Sequence, residues 1–251
     1  MLLEILFELI FEIPATRAIA LAVLPALVLL LFVRKKDQLE PEPPKLVWTL
    51  VGLGCASVLI AMLLETAGIA VLNAVFNKEN LLFHLLHWFI VVGIGEEFSK
   101  YIVMRLKTWK SGDFNCLYDG MVYAAAVSAG FALTENVIYM IRYGAGVLLM
   151  RGIVSIPAHI SFSVFMGVWY GLARRYARAH MEQKARQSHC LAVLVPAAAH
   201  GWFDLLASNL QETLPLILFI IFVIAMFIVA WRLIMRTAEQ DHYLTTSTDR
   251  I

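Results

Sequence analysis

Apolar runs recur along almost the whole chain, and at about 20 residues each is long enough to cross the ~30 Å hydrocarbon core of a bilayer as a helix. A backbone entering hydrocarbon must satisfy its own hydrogen bonds, so only helices and closed barrels persist there. The runs are continuously apolar rather than alternating, which excludes barrel strands. The chain therefore reads as an all-α polytopic transmembrane helix bundle. Composition agrees: 61% of the 251 residues are hydrophobic and 16% charged, with a mean hydropathy of +0.76, whereas soluble domains sit near about 45–50% and about 25%. A formal net charge of +1 offers no footprint for nucleic acid, acidic substrates or a basic membrane-surface patch. Cys55, Cys116 and Cys190 lie far apart with no CxxC pair, so neither a disulfide framework nor a cysteine metal cage is indicated.

The apolar windows predict seven spans, at about residues 15–33, 47–75, 82–106, 117–141, 146–173, 190–208 and 213–235. Residues 1–14 carry Glu4, Glu8 and Glu12 on one face of an apolar segment and read as an amphipathic acidic helix, at the interface or extending the first span. The segment lacks the basic n-region and small-residue cleavage site of a signal peptide, so it is expected to be retained. The stretch DQLEPEPPK, residues 37–45, is expected to be extended. Residues 237–251 read as a polar tail, and with no repeat or second domain in view, residues 1–251 form one membrane domain.

Basic residues set the orientation. Arg34, Lys35, Lys36 and Lys45 follow the first span, Arg105, Lys107 and Lys110 the third, Arg174, Arg175, Arg178, Lys184 and Arg186 the fifth, and Arg232, Arg236 and Arg250 the seventh. The other side holds Arg17, Lys78, Arg142 and Arg151. Fifteen against four places the N-terminus outside and the C-terminus in the cytoplasm. Lys100 is left over, inside a span.

Ionisable side chains at mid-bilayer cost about 2.5–3.5 kcal/mol each on insertion scales. Glu96, Glu97 and Lys100 sit in the third span, Glu135 in the fourth, His159 in the fifth, and His200 with Asp204 in the sixth. Uncompensated, they would cost on the order of 10 kcal/mol, too much for packing alone, so they are expected to meet in one polar core. Lys100 lies i+4 from Glu96 and i+3 from Glu97, within reach of both. Asp204 lies i+4 from His200 and can orient its imidazole. Read singly, these residues are unremarkable: the Glu96–Lys100 pair serves equally as a helix tie, a lone His159 is more often a satisfied core residue, and Arg151 anchors the start of its span. Four helices each carrying a polar group near mid-span tip the balance. Ala126 with Gly130, and Gly167 with Gly171, permit those helices to approach closely. Counting residues at 1.5 Å each puts Glu97 about 12 Å from the cytoplasmic end of its span and Glu135 about 10 Å from the outer end of its own. That leaves roughly 8 Å of height between them in a ~30 Å core. Glu135 therefore joins the pair only if a helix tilts or breaks, and otherwise lies on the substrate-entry side.

Five motifs occur in order: EPEP (Glu40 to Pro43), EExxK (Glu96, Glu97, Lys100), DGxxYxxxxxxGFAxxEN (Asp119 to Asn136), PxHxxFS (Pro157 to Ser163) and HGxxD (His200 to Asp204). Together they resemble the PrsW family of intramembrane proteases, itself similar to the CAAX-processing and bacteriocin-processing membrane protease group. The resemblance implies that Glu96 and Glu97 form the catalytic pair, with Glu135, His159 and His200 completing the centre and Lys100, Asn136 and Asp204 supporting it. In the prenyl-protein branch the second motif ends in His, whereas here FxxxE ends in Glu135, so that branch's role cannot be transferred. The resemblance further implies a bacterial cytoplasmic-membrane protein acting on membrane-anchored substrates such as an anti-sigma factor.

A carboxylate from Glu96 or Glu97 could activate water for attack on a peptide carbonyl, with His200 as oxyanion donor or proton shuttle. No Ser-His-Asp order or reactive cysteine suggests a covalent route, and Ser161 and Ser163 read as packing or hydrogen-bonding groups. Metal dependence stays open. His159, His200 and Glu97 would make a plausible zinc set, yet HExxH is absent and a metal-free glutamate mechanism is an equal alternative. The expected partners are a single-pass membrane protein substrate and the lipid bilayer. The competing functions are an ion- or proton-coupled transporter and a non-catalytic membrane scaffold.

Overall fold

The computed structural model describes residues 15–244. The acidic segment 1–14 and residues 245–251 of the tail lie outside the described residues. The described chain is helical, and its one strand-like feature is an isolated antiparallel bridge between Cys116 and Tyr243.

In chain order the helices are α1 (Ala15–Lys36), α2 (Pro44–Val75), α3 (Leu81–Thr108), α4 (Asp119–Tyr143), α5 (Val147–Arg178), α6 (Glu182–Ala207) and α7 (Thr213–Glu239). Six of them, α2 to α7, are long and apolar enough to span a membrane. At 22 residues, α1 is about 33 Å long and accounts for the first expected span. Every expected span corresponds to one helix. The main difference is at basic ends: α6 begins at Glu182, well before the expected 190. Helical hydrogen bonds do not stop at the hydrocarbon edge, and EQKARQSH continues the coil into the polar layer. Residues 37–43 are non-helical, as expected, but Pro44 and Lys45, expected to be extended with them, instead open α2, where the missing N–H of Pro44 has no helical partner to lose.

Helix α4 is the hub. Gly120 to Ala132 are all buried, and α4 packs against α2 on one side and α5 on the other. Small residues make this possible: a Cβ on Gly54 would strike the Val127 carbonyl, and one on Gly130 would strike the Val51 carbonyl. At the other contact, a Cβ on Gly120 would lie 2.8 Å from the Gly167 carbonyl oxygen and the Gly171 nitrogen. Burial grades outward from this axis: 56% of the most apolar window is buried in both α4 and α5, against 17% in α7. The remaining apolar surface of α7 faces the hydrocarbon.

Candidate active site

Helices α3 and α5 change winding just before the residues that carry chemistry. In α3, His87–Ile94 is wound as π-helix, and α-helix resumes at Gly95 with Glu96 and Glu97 in its first turn. In α5, Arg151–Ser155 is π-helical, and Ile156 restarts the α-helix that carries His159. Such wide turns reset the angular position of everything downstream and concentrate at functional sites. The third contributor, α6, contains Pro196 one turn before His200, and this proline removes a helical donor there. Gly93 and Gly201 let α3 and α6 touch: a Cβ on Gly93 would come within 2.6 Å of the Ala197 carbonyl oxygen, and one on Gly201 within 2.7 Å of the Phe89 ring.

The polar residues of α3, α5 and α6 meet as expected. The Lys100 ammonium donates to Glu97 Oε1 at 2.7 Å, to His159 Nδ1 at 3.1 Å and to Glu96 Oε2 at 3.4 Å, and lies 4.1 Å from the centroid of the Phe131 ring. Glu97 Oε1 also takes a hydrogen bond from His200 Nδ1 at 3.0 Å. Asp204 Oδ2 stands 3.3 Å from the other nitrogen of His200, as the HGxxD spacing predicts. The rings of His159 and His200 are perpendicular with centroids 5.3 Å apart, and Phe162 stacks on His200 at 4.6 Å. Ser128 and Ser163 both donate to the His159 carbonyl, and Ser161 to that of Pro157, in keeping with their reading as hydrogen-bonding groups.

Glu135 joins from behind. Lys100 uses His159 Nδ1 as an acceptor, so the proton of that ring is on Nε2, which donates to Glu135 Oε2 at 2.8 Å. Arg151 donates to the same Glu135 oxygen at 2.7 Å and to Asn136 Oδ1 at 2.7 Å, and lies 3.8 Å from the Tyr139 ring centroid. The helices change winding without breaking, and Glu135 touches His159 and not the Glu96–Glu97 pair. Arg151 corrects an expectation: it holds Glu135 and Asn136 rather than only anchoring the start of a span, because the π-turn beginning at Arg151 swings it toward α4.

A cavity of about 690 Å³ opens onto the centre, lined by Glu96, Glu135, His159, His200 and Asp204 with Phe131 and Phe162. Glu97 does not line it, and its Oε2 is buried with no partner. Sequence reading missed Glu65 of α2, together with His87, Tyr139 and Arg142, all on the cavity wall. Glu65 was detectable by the rule that found the others, being a carboxylate within an apolar span. His87 sits in the π-helical stretch, where an α-helical count misplaces its face.

The donor set suits a metal ion. One atom each from Glu96, Glu97, His159 and His200 lies within 4.8 Å of the other three, all four residues being buried. The unpartnered Glu97 Oε2 leaves a ligand atom free. Each imidazole also has a carboxylate on its far side, Glu135 for His159 and Asp204 for His200, the outer support typical of metal-binding histidines.

The profile of the PrsW family intramembrane metalloproteases matches residues 42–231, which include all of these side chains. The chain belongs to the PrsW family. It is 30% identical to Protease PrsW of Bacillus subtilis over 198 residues, 77% of this chain and 84% of that protein. Protease PrsW of Oceanobacillus iheyensis is 29% identical over 188 residues, covering 75% and 81%, and that of Clostridioides difficile 29% identical over 208 residues, covering 81% and 84%. No solved structure matches. Family membership and the spanning helices together make this an integral membrane protease, acting on substrate at the bilayer. The transporter and scaffold alternatives give way to that finding.

Proposed function

We propose that the protein is an intramembrane endopeptidase that cuts a single-pass membrane protein by carboxylate-activated water, with Glu96 as the base. The observation carrying this is the division within the glutamate pair: Glu96 lines the cavity, whereas Glu97 is sealed beneath it against Lys100 and His200. Glu96 is the carboxylate that water and a peptide carbonyl can reach. His200 lines the same cavity, and its Nε2 stands 3.9 Å from Glu96 Oε2, where it can donate to the oxyanion or return the proton to the leaving amine. Asp204 orients His200, and Glu135, itself held by Arg151, orients His159. Lys100 keeps the charges of the pair in place.

Glu97, His159 and His200 are the residues that would hold a zinc-class ion, leaving Glu96 as base. When bound, such an ion supplies Lewis acidity to the carbonyl and a more acidic water.

The cavity wall runs through residues 58–69 of α2, 87–92 of α3, 138–142 of α4 and 203–207 of α6, which lie toward the ends of those helices away from the basic loops. With the basic loops in the cytoplasm, the N-terminus is outside and the cavity opens to the outer side, where an extended stretch of a membrane-anchored regulator, of the anti-sigma factor kind, can enter. Co-expression with a panel of tagged single-pass proteins tests the reading. Fragments are expected with the wild type and absent with Glu96→Gln, Glu97→Gln and His200→Ala at equal membrane levels. Fragments persisting equally in all three variants would overturn it.

A further inference from the structure

Two motifs take no part in the catalytic centre, the Glu40–Pro43 stretch and the Asp119–Tyr123 start of α4. Asp119 precedes Glu135 by sixteen residues on one helix, about 24 Å along the axis. The two motifs meet each other instead, through a 2.7 Å hydrogen bond from the Tyr123 hydroxyl to Glu42 Oε1.

Four carboxylates gather at this end of the bundle. Asp37, Glu42 and Asp119 are 3%, 2% and 0% exposed, and Asp241 after α7 is half-buried. Each gives one oxygen to a donor of the chain. Asp37 Oδ2 accepts from Glu42 N, Asp119 Oδ2 from the amides of Asn115 and Cys116, and Asp241 Oδ1 from the amide of Tyr118. Each leaves its other oxygen, Asp37 Oδ1, Glu42 Oε2, Asp119 Oδ1 and Asp241 Oδ2, buried with no partner, and Asn115 Oδ1 is in the same condition. Among the described residues no Lys, Arg or His comes within salt-bridge distance of any of the four. The nearby Arg34 donates to the Glu42 backbone carbonyl rather than to a carboxylate. Buried carboxylates with no salt-bridge partner and one oxygen unpaired are costly, and a cation meets both deficits at once.

We propose that Asp37, Glu42, Asp119 and Asp241, with Asn115, hold a partly hydrated divalent cation of the Mg²⁺ class that fastens the 37–43 loop, the 109–118 loop and the 240–244 segment together. The spacing specifies the hydration. Among the described residues only the Glu–His centre brings three Asp, Glu, His or Cys donors within 4.8 Å, so these oxygens stand wider apart than the ligands of a bare ion. Mg²⁺ retains several waters and bonds to one or two carboxylates directly. Burial, with the Asp119 charge adding to it, pushes the Glu42 carboxyl up to about 9, and burial pushes that of Asp37 up to about 6, the direction expected of groups short of positive charge. The inference does not rest on the catalytic reading.

The test uses the full chain, metal-stripped in detergent. Mn²⁺ binding is followed by loss of the free-ion paramagnetic resonance signal, and thermal unfolding is followed with and without Mg²⁺. Wild type should bind one more Mn²⁺ than Glu42→Gln or Asp119→Asn. Mg²⁺ at a hundredfold over its dissociation constant should raise the wild-type midpoint by about 5 °C or more, but not that of the variants. Asp241→Asn, at the half-buried position, serves if the buried variants fail to fold. Equal Mn²⁺ counts in wild type and variants would overturn the proposal. So would a Mg²⁺ response lost in Glu97→Gln and kept in Glu42→Gln, which would place the ion at the catalytic centre. A wild-type midpoint indifferent to Mg²⁺ that falls steadily as pH rises from 5 to 9 would also overturn it, since carboxyls raised by folding stabilise the fold only while protonated.

Discussion

Removing the Lys100 ammonium while keeping its length isolates the charge balance on which the centre rests. In Lys100→Met, Glu97 loses a partner at 2.7 Å and Glu96 one at 3.4 Å, with Lys100 and Glu97 both sealed from solvent. At an effective dielectric of about 20, those separations correspond to gross attractions of about 6 and 5 kcal/mol. Several kcal/mol per ion of desolvation already offset them, and removal of one partner from a buried pair costs about 3–5 kcal/mol net. Most of that cost is a carboxylate left without its cation, so removing the carboxylate too should recover much of it. The assay is a double-mutant cycle of Lys100→Met and Glu97→Gln in mixed micelles with a chelator present, reading unfolding free energies from denaturant titration. The double variant should be less destabilised than the sum of the singles, with a coupling of about 2 kcal/mol or more. Additivity within about 0.5 kcal/mol would refute the claim that the ammonium and the pair act as one unit.

Glu96→Gln should leave the fold and the unfolding midpoint nearly unchanged while lowering the cleavage rate at least ~10²-fold, measured on a purified substrate. Asp204→Asn and Glu135→Gln remove supports behind the two imidazoles and should lower activity about 10–100-fold, with a matching fall in zinc affinity if those rings are ligands. Chelation of active protein should abolish cleavage and zinc should restore it; full activity in excess chelator would establish the metal-free route. Gly130→Leu, at the closest approach of α2 and α4, should lower the unfolding midpoint strongly, by more than the about 1–3 kcal/mol usual for overpacking, because the obstacle is a backbone carbonyl that cannot rotate away.

The spans were legible because a bilayer imposes one length and one polarity on every crossing, so continuous apolar runs such as that of α7 admit a single reading. The Glu–Lys–His centre was legible for the converse reason: a charge in hydrocarbon needs a partner, and Glu97 had few candidates. The direction from which Glu135 arrives was not. The stretch HWFIVVGI contains no proline, and after His87 its side chains are apolar or aromatic, so nothing within it separates π from α winding. RGIVS contains no proline either, so apart from the charge of Arg151 itself its redirection toward Glu135 had no local signature. Glu42 and Asp119 escaped notice as a pair because their meeting depends on how two loops fold over the end of the bundle, where hydropathy carries no constraint.

Lys100 and any dication in the glutamate–histidine centre draw on the same atoms. The ammonium occupies one oxygen of Glu97 and Nδ1 of His159, two of the donors that a zinc set would use. A dication and an ammonium about 4 Å apart repel by about 8 kcal/mol at an effective dielectric of about 20, equivalent to roughly 10⁶ in affinity. The lysine must therefore swing aside, or its charge must weaken ion binding. Zinc affinity measured by competition with a chromophoric chelator should be at least tenfold tighter in Lys100→Met than in wild type, and zinc should restore part of the stability that this substitution removes. Affinity that is unchanged or weaker in the variant would mean that Lys100 leaves these donors at little cost, and that its contacts with Glu97 and His159 do not control entry of an ion.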